Sequence, residues 1–260
     1  NLSLSSPYDR DETKGILVKA GETLVVTGQN LDYAASLRLE GVYKLDGAFY
    51  EVADDYSEIT ITVPPTAKDG DVFLVTSSGI AVSAGTDVLV KPAATAISSN
   101  PVRPGETLTI TGTDLDLVTG VMFGGGAAAG VEVNAEGTSL TVTVPDMAVT
   151  GSISFMIANG TTVPCDGLGE IAVAVPVVTD ISALEGKFKA KATITISGSN
   201  LDLATGVRIK WEETVKEVEY SKVDVSTLTF IMPDEALDGS IYVIARSGAE
   251  AQRDHSCAVA

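Results

Sequence analysis

The chain has 260 residues, and its 35 acidic and 17 basic side chains give it a formal charge of −18 at neutral pH. This length suits two or three domains, and a hydrophobic content of 45% is sufficient for buried cores. Such a surface repels phosphate backbones and anionic lipid head groups, so binding to nucleic acid is disfavoured. The sequence has no apolar run long enough to predict a transmembrane segment.

Three stretches of the sequence are nearly alike. They read GETLVVTGQNLDYAASLRLEG from Gly21, GETLTITGTDLDLVTGVMFGG from Gly105 and KATITISGSNLDLATGVRIKW from Lys191. Downstream of each stretch a proline precedes a glycine by six residues, as in Pro145 and Gly151. A repeat of this length matches an independent β-sandwich domain. We therefore predict three domains, at residues 1–91, 92–176 and 177–260.

Within each repeat, apolar residues alternate with small or polar ones. In the first repeat the apolar positions are Leu24, Val26, Leu37, Leu39, Ile59, Ile61, Val63, Val72 and Leu74. A period of two predicts antiparallel strands with one buried face, about seven per repeat in two packed sheets. The predicted fold is all-β, with three tandem immunoglobulin-like β-sandwich domains in an elongated array whose joints are stiffened by Pro92 and Pro176.

The repeated pattern, a glycine, alternating apolar residues and then Gly-x-Asx-Leu, resembles the IPT/TIG domain family. That family has an immunoglobulin-like fold and occurs in extracellular receptors and some transcription factors. The resemblance covers all three repeats, although Lys191 replaces the first glycine in the third. It extends to surface lipoproteins of gut Bacteroidetes, some of which bind glycans. It therefore implies a cell-surface or secreted protein, of outer-membrane lipoprotein type, with a lipid anchor upstream of Asn1.

No catalytic set is predicted from the sequence. The single histidine, His255, has no nucleophile and carboxylate placed to form a triad with it, so we expect a protein that is not an enzyme and has no cofactor. Asn30, Asp114 and Asn200 recur two residues after the central glycine, each followed by an aspartate. Calcium would need more oxygen ligands than one such turn supplies, so turn formation by the Asx side chain is favoured over a metal site. Free, packed thiols are favoured for Cys165 and Cys257.

Aromatic residues are concentrated in the segments that differ between the repeats. Exposed rings can stack on the apolar face of a sugar, and recognition sites are often found where loops vary on a constant frame. The candidate ligand-binding residues are Tyr43, Phe49, Tyr50, Tyr56, Trp211 and Tyr220; the alternative is that these rings cover sheet faces or domain joints. We predict a non-catalytic cell-surface protein for adhesion or glycan binding, whose partner is a surface glycan or another surface protein. The alternatives are a structural spacer in a polysaccharide-uptake complex and an accessory fragment of a larger enzyme.

Overall fold

The structure, a computed structural model, describes residues 2–8, 10–11, 15–182, 189–235 and 238–255. Its regular elements are β-strands and single 3₁₀ turns, which confirms the prediction of an all-β chain of tandem immunoglobulin-like β-sandwiches. In the described part of the chain, no helix has the length and apolar character needed to cross a membrane.

The strands fall into three groups along the chain. The first group is β1 Ser3–Ser5, β2 Arg10–Asp11, β3 Gly15–Val18, β4 Thr23–Thr27, β5 Ala34–Arg38, β6 Tyr50–Val52, β7 Glu58–Thr62, β8 Gly70–Thr76 and β9 Ala81–Leu89. The second is β10 Ala93–Ile97, β11 Thr107–Thr113, β12 Val118–Gly124, β13 Ala128–Val133, β14 Ser139–Thr143, β15 Val149–Ile157 and β16 Thr162–Pro164. The third is β17 Val177–Ser182, β18 Thr193–Ser199, β19 Ala204–Trp211, β20 Thr214–Val218, β21 Tyr220–Asp224, β22 Thr227–Ile231, β23 Gly239–Ala245 and β24 Glu250–His255. The 3₁₀ turns are Leu31–Tyr33, Gly47–Phe49, Leu115–Leu117, Asp166–Leu168 and Leu201–Leu203.

Each group of strands encloses its own hydrophobic core. In the first, Leu24 and Val26 of β4 are fully buried opposite Ile61 and Ile59 of β7, while the alternate residues of both strands face outward. Each such side chain contributes about 1.5–3 kcal/mol when it is buried. Separate cores also form from Val102 to Val173 and from Ile194 to Val243. We refer to the three units, each with its own core, as the first, second and third domains. Their boundaries at residues 91 and 176 stay predictions.

The central glycines of the second and third repeats are required by a close approach of the backbone. A Cβ atom at Gly112 would lie 2.0 Å from the carbonyl oxygen of Ala93, and one at Gly198 would lie 1.9 Å from that of Val177. The strand that enters each of these domains passes directly over the glycine, so no side chain can be accommodated there.

The Asx residue that follows the glycine has a left-handed backbone. The φ angles are 60° for Asn30, 53° for Asp114 and 54° for Asn200, a conformation that Asn and Asp tolerate better than most residues. None of the three side chains caps the 3₁₀ turn that follows. The prediction of turn formation by the Asx side chain was therefore wrong in its mechanism: the backbone conformation selects the residue type, and the side chain remains available for other contacts.

The domains differ most in their middle segments. In the second, β13 pairs with both β12 and β14 and so connects the two sheets. In the third, the corresponding segment is divided: β20 pairs with β19 in one sheet, and β21 pairs with β22 in the other. The chain crosses between the sheets at Glu219. In the first, among the strands that the structure describes, the short strand β6 pairs with β7 alone.

Candidate functional site

The four aromatic candidates of the first domain do not form a cluster. Tyr43 is 87% exposed in the loop after β5, whereas Phe49 and Tyr50 pack against the core. Tyr56 is 51% exposed in the turn between β6 and β7, at the other end of β5 from Tyr43. Its carbonyl accepts a hydrogen bond from the amide of Leu31, which places this turn beside the first 3₁₀ turn.

The prediction that Trp211 presents its ring to a ligand is not supported by the structure. The side chain is only 5% exposed and belongs to the core of the third domain, so its ring is unavailable for stacking on a sugar. Trp211 is buried because it is the last residue of the alternating apolar pattern in β19. Val207, Ile209 and Trp211 share one face of the strand, and that face lies against the core.

Tyr220 occupies an intermediate position between core and solvent. Its ring packs against the core of the third domain, and its hydroxyl donates a 3.1 Å hydrogen bond to the carbonyl of Ala204. Burial raises the pKa of this phenol above its usual value of 10.0. The hydrogen bond and the packing together hold the ring in place at the start of β21.

An open groove of about 610 Å³ lies beside Tyr220 in the third domain. The size falls within the range of about 300–1,000 Å³ that is usual for small-molecule sites. Besides Tyr220, the groove is lined by the following residues: Thr205, Gly206, Val207, Glu217, Val218, Glu219 and Ile244. It therefore combines a fixed aromatic ring and apolar side chains with one hydroxyl and two carboxylates.

The division of the middle segment into two strands explains why the groove forms in the third domain. Glu217 and Val218 belong to one sheet and Tyr220 to the other, so the seam between the sheets opens where Glu219 connects them. In the second domain, β13 bridges the same seam by pairing on both sides. Only Tyr220 among the six predicted residues lines the groove, and a ligand site in the variable middle segments stays a prediction.

Two further sets of polar residues, which the sequence reasoning did not identify, lie between consecutive domains. Lys19 of the first domain extends to the Asx turn of the second, where its Nζ lies 2.9 Å from Asp114 Oδ1 and 2.7 Å from Asp116 Oδ1. The lysine side chain is only 14% exposed, and the two carboxylates raise its pKa, although desolvation acts in the opposite direction and is the largest single influence.

Arg103 makes the equivalent contact between the second and third domains. Its Nη1 donates a 2.5 Å hydrogen bond to Asn200 Oδ1, and its Nη2 lies 2.6 Å from Asp202 Oδ2. The amide of Asn200 also donates to the carbonyl of Val175, just before β17. Both joints therefore place a cation of one domain on the Asx-x-Asp turn of the next domain.

A second contact accompanies each of these ionic contacts. Asn159, in the turn after β15, donates a 2.9 Å hydrogen bond to the carbonyl of Ala67 in the first domain. Arg246, in the corresponding turn of the third domain, forms an ion pair with Asp146 of the second. Beside this pair lies a small cavity of about 130 Å³, whose lining includes Pro104 and Leu203. Each joint is thus fixed at two points.

The sequence does contain a signal for these joints. Lys19 and Arg103 each stand two residues before the first glycine of the repeated stretch, at Gly21 and Gly105, and Lys189 stands two residues before Lys191. Aligning the repeats would have shown a cation at the same place in all three. Its partner could not be read from the sequence, because the contact joins residues 95 or more positions apart.

Two buried titratable groups lie outside the groove. Asp87 of β9 is 0% exposed, and neither carboxylate oxygen has a hydrogen bond of normal geometry. Burial raises its pKa from 3.8 to about 7; the nearby amides of Asp87 and Gly70 lower it in part, whereas the neighbouring Asp69 and Asp71 raise it. Cys165 is a free, buried thiol, as was favoured, with a pKa raised by burial to about 11, and Cys257 lies outside the described residues.

Among the described residues, no cluster of three or more His, Cys, Asp or Glu side chains could hold a metal ion. The side chain of His255 lies outside this description.

The sequence of the third domain matches a known family. The match is to the IPT/TIG domain and spans residues 176–253. The third domain is therefore similar to the IPT/TIG domain. The first and second domains share with the third the central glycine, the left-handed Asx residue and the 3₁₀ turn that follows. No curated protein shows a significant match to the chain.

Solved structures that resemble the chain include three that are described with glycans or as glycan-binding. SGBP-B of a mixed-linkage glucan utilization locus of Bacteroides ovatus, in complex with a mixed-linkage heptasaccharide, is 17% identical, with a TM-score of 0.28 and coverage of 99% of this chain and 70% of that one. A structure with a xylogluco-oligosaccharide is 20% identical, with a TM-score of 0.37 and coverage of 97% and 60%. The surface glycan-binding protein PbSGBP-B from Prevotella bryantii is 18% identical, with a TM-score of 0.29 and coverage of 64% and 41%. The chain thus spans less than two thirds of the second and third of these proteins.

Proposed function

We propose that the chain is a non-catalytic cell-surface protein that binds a neutral glycan in the groove of its third domain. The observation that carries the proposal is the combination of groups around Tyr220: a fixed ring, apolar side chains, one hydroxyl and two carboxylates. A sugar ring presents an apolar C–H face and a rim of hydroxyl groups, and these groups match both features.

The charge of the groove selects among glycans. Glu217 and Glu219 are exposed and form no ion pair in the described part of the chain, so their oxygens are free to accept hydrogen bonds from vicinal hydroxyl groups. The same carboxylates, on a chain with a formal charge of −18, repel uronic acids and sulfated sugars. Neutral polysaccharides are therefore the expected ligands. Mixed-linkage glucan and xyloglucan, the sugars named for two of the similar structures, belong in the first panel.

Affinity electrophoresis against a panel of soluble neutral and acidic polysaccharides tests this function. We expect a neutral glycan to retard the wild type. Tyr220→Ala should abolish the retardation, whereas Tyr220→Phe, which keeps the ring and loses only the bond to Ala204, should retain most of it. Val223→Ala is a matched control, because Val223 is 62% exposed on the same strand and does not line the groove. Retardation by no member of the panel, or retention of binding by Tyr220→Ala, would refute the proposal.

Tyr43 remains a separate candidate, because its ring is exposed. Tyr43→Ala belongs in the same experiment as an independent test of a site on the first domain. The proposed location is the cell surface, with attachment by a lipid upstream of Asn1, and metabolic labelling of the full-length protein with a palmitate analogue would test that attachment.

The two joints favour a second candidate function, that of a spacer which holds a partner at a fixed distance. Ion pairs at Lys19 and Arg103 fix the angle between successive domains, a property that ligand binding by one groove does not require. Small-angle scattering of Arg103→Ala should show a broader distribution of interatomic distances than the wild type if the joint is stiff. An unchanged scattering curve would remove the support for this function.

A further inference from the structure

In every domain, three turns lie together at the end where the Asx turn is found. We call this end of the domain the base. In the first domain the base comprises residues 30–33, 53–57 and 76–80. Backbone hydrogen bonds connect the first two turns at Leu31 and Tyr56, and β5 pairs with β8 at Ala34 and Thr76, which brings in the third. The bases of the second and third domains contain the equivalent turns, at residues 114–117, 134–138 and 157–161, and at 200–203, 224–226 and 245–249.

Two of the three bases are docked against another domain. The base of the second holds Lys19 at Asp114 and Asp116, and that of the third holds Arg103 at Asn200 and Asp202. These four acceptor side chains are part of occupied interfaces. The recognition chemistry is therefore the same twice: a cation from the turn before the repeated stretch enters between an Asx residue and the aspartate two positions later.

The base of the first domain carries the same acceptors without a cation. Asn30 and Asp32 are exposed, and within the described part of the chain neither side chain has a hydrogen-bond partner. Around them lie large apolar side chains that are also exposed: Tyr33 at 68%, Tyr56 at 51% and Ile80 at 62%. A cluster of apolar groups beside acceptors is typical of a surface that another protein covers.

The complementary cation is present on the same chain. Lys189 is exposed, and its side chain forms no ion pair among the described residues. Its carbonyl accepts a 3.1 Å hydrogen bond from the amide of Ala192. The carbonyls of Lys19 and Arg103 accept the same bond, from the amides of Glu22 and Glu106. The amide of Lys191 bonds to Met232, as Gly21 bonds to Val63 and Gly105 to Val144. The Lys189 turn therefore has the backbone geometry of the two turns that do dock.

We propose that the base of the first domain is a docking surface for the Lys189 turn of a second copy of this chain. Lys189 of one copy would lie between Asn30 and Asp32 of the next, with Tyr33, Tyr56 and Ile80 covered by the incoming domain. Such a contact is head to tail, so it extends into a row of copies and does not close into a symmetric dimer.

The association is weak in free solution, because no linker holds the two surfaces together. Short linkers supply an effective concentration in the millimolar range, so a joint that is ordered within one chain corresponds to a dissociation constant of about 1 mM or lower between chains. The shared negative charge of the copies opposes their approach, and salt at about 0.15 M limits this repulsion to distances of about 8 Å.

Sedimentation velocity of the intact chain, in about 150 mM NaCl and from about 10 μM to about 2 mM, tests the proposal. We expect the weight-average sedimentation coefficient of the wild type to rise with concentration. Lys189→Glu and Asp32→Lys should each weaken association about tenfold or more, because each places like charges together. A mixture of the two variants should associate, since the intact Lys189 of one meets the intact Asn30 and Asp32 of the other.

Matched controls separate this contact from a general effect of charge. Lys44→Glu and Glu132→Lys make the same changes in charge at exposed positions away from both surfaces, in the loop after β5 and in β13 of the second domain, and they should associate as the wild type does. The proposal is overturned if the wild type stays monomeric throughout the concentration range, if Lys44→Glu weakens association as much as Lys189→Glu, or if the mixture fails to associate.

Discussion

Replacement of Asp87 by asparagine should remove a large part of the pH dependence of stability in the first domain. Asp87 is fully buried, and both carboxylate oxygens are without a normal hydrogen bond. Its pKa is raised from 3.8 to about 7, mainly by burial. At a pH between these two pKa values, the folded protein therefore keeps a proton that the unfolded chain releases. Stability conferred by that proton is complete at about pH 4 and is lost as the pH rises towards 7.

The size of the effect follows from the difference in pKa. About three units at 1.36 kcal/mol each correspond to about 4 kcal/mol of unfolding free energy lost between about pH 4 and pH 7.5. The amide side chain of Asp87→Asn cannot ionise, so the variant should lack this loss. A buried amide without hydrogen-bond partners costs about 1–3 kcal/mol of unfolding free energy at any pH. This cost lowers the stability of the variant but does not change how its stability depends on pH.

The assay must report on the first domain alone, because the three cores need not unfold together. Urea unfolding at pH 4.5, 6 and 7.5, followed through the NMR signals of Ile59 and Ile61, meets this need, since both residues are fully buried in that core. Asp54→Asn, an exposed change in the same domain, is the control for the other carboxylates. If Asp87→Asn shows the same decline in stability as the wild type between pH 4.5 and 7.5, the reasoning is refuted.

Three further substitutions test the structure elsewhere. Tyr56 has a φ of 56°, where the second domain has Gly137, so Tyr56→Gly should stabilise the first domain by about 1 kcal/mol in urea unfolding. Trp211→Ala removes a core side chain and should destabilise the third domain by about 3–5 kcal/mol, measured by the loss of dispersion of its NMR signals in urea. In a Cys257→Ser variant, Cys165 should react with a disulfide reagent at about pH 8 only after unfolding, because its thiol is buried and its pKa is about 11.

Each of these expectations has a distinct contrary result. A loss of stability in Tyr56→Gly would mean that ring contacts outweigh the cost of the left-handed backbone. An unchanged midpoint for the third domain in Trp211→Ala would contradict the burial of the indole. Rapid labelling of native Cys165 would show that the core around it opens far more often than its packing implies.

The sequence was sufficient to predict the frame of the fold. Alternation of Leu108 and Ile110 with threonines identified buried strand positions, because a residue's face in a strand depends only on its place in the alternation. The structure adds the reason for the central glycine, which the sequence could not supply, since the carbonyl groups that approach Gly112 and Gly198 come from the preceding linker strands.

The candidate site was less predictable. Composition indicated the aromatic residues but could not separate Trp211, which continues the buried face of β19, from Tyr220, which begins a strand at the open seam. Whether an aromatic ring of the middle segment is buried or lies at the seam depends on where the chain crosses from one sheet to the other. The position of that crossing is set by which strands the segment pairs with. The pairing at the joints was missed for a related reason: the cation recurs in each repeat, but Lys19 and Asp114 lie far apart in sequence, so the repeat alone does not show which residue accepts it.

The two-point joints have a consequence for how such a chain can change in length. Because the cation and its acceptors both belong to the repeating unit, a duplicated unit brings with it a matching surface at each end. Insertion or deletion of a whole unit therefore keeps the cation and its Asx-x-Asp acceptors at every remaining junction, whereas the second contact differs between the two joints and needs a new partner. The distance between the two ends of the protein can vary in steps of one domain while the ionic contact is kept.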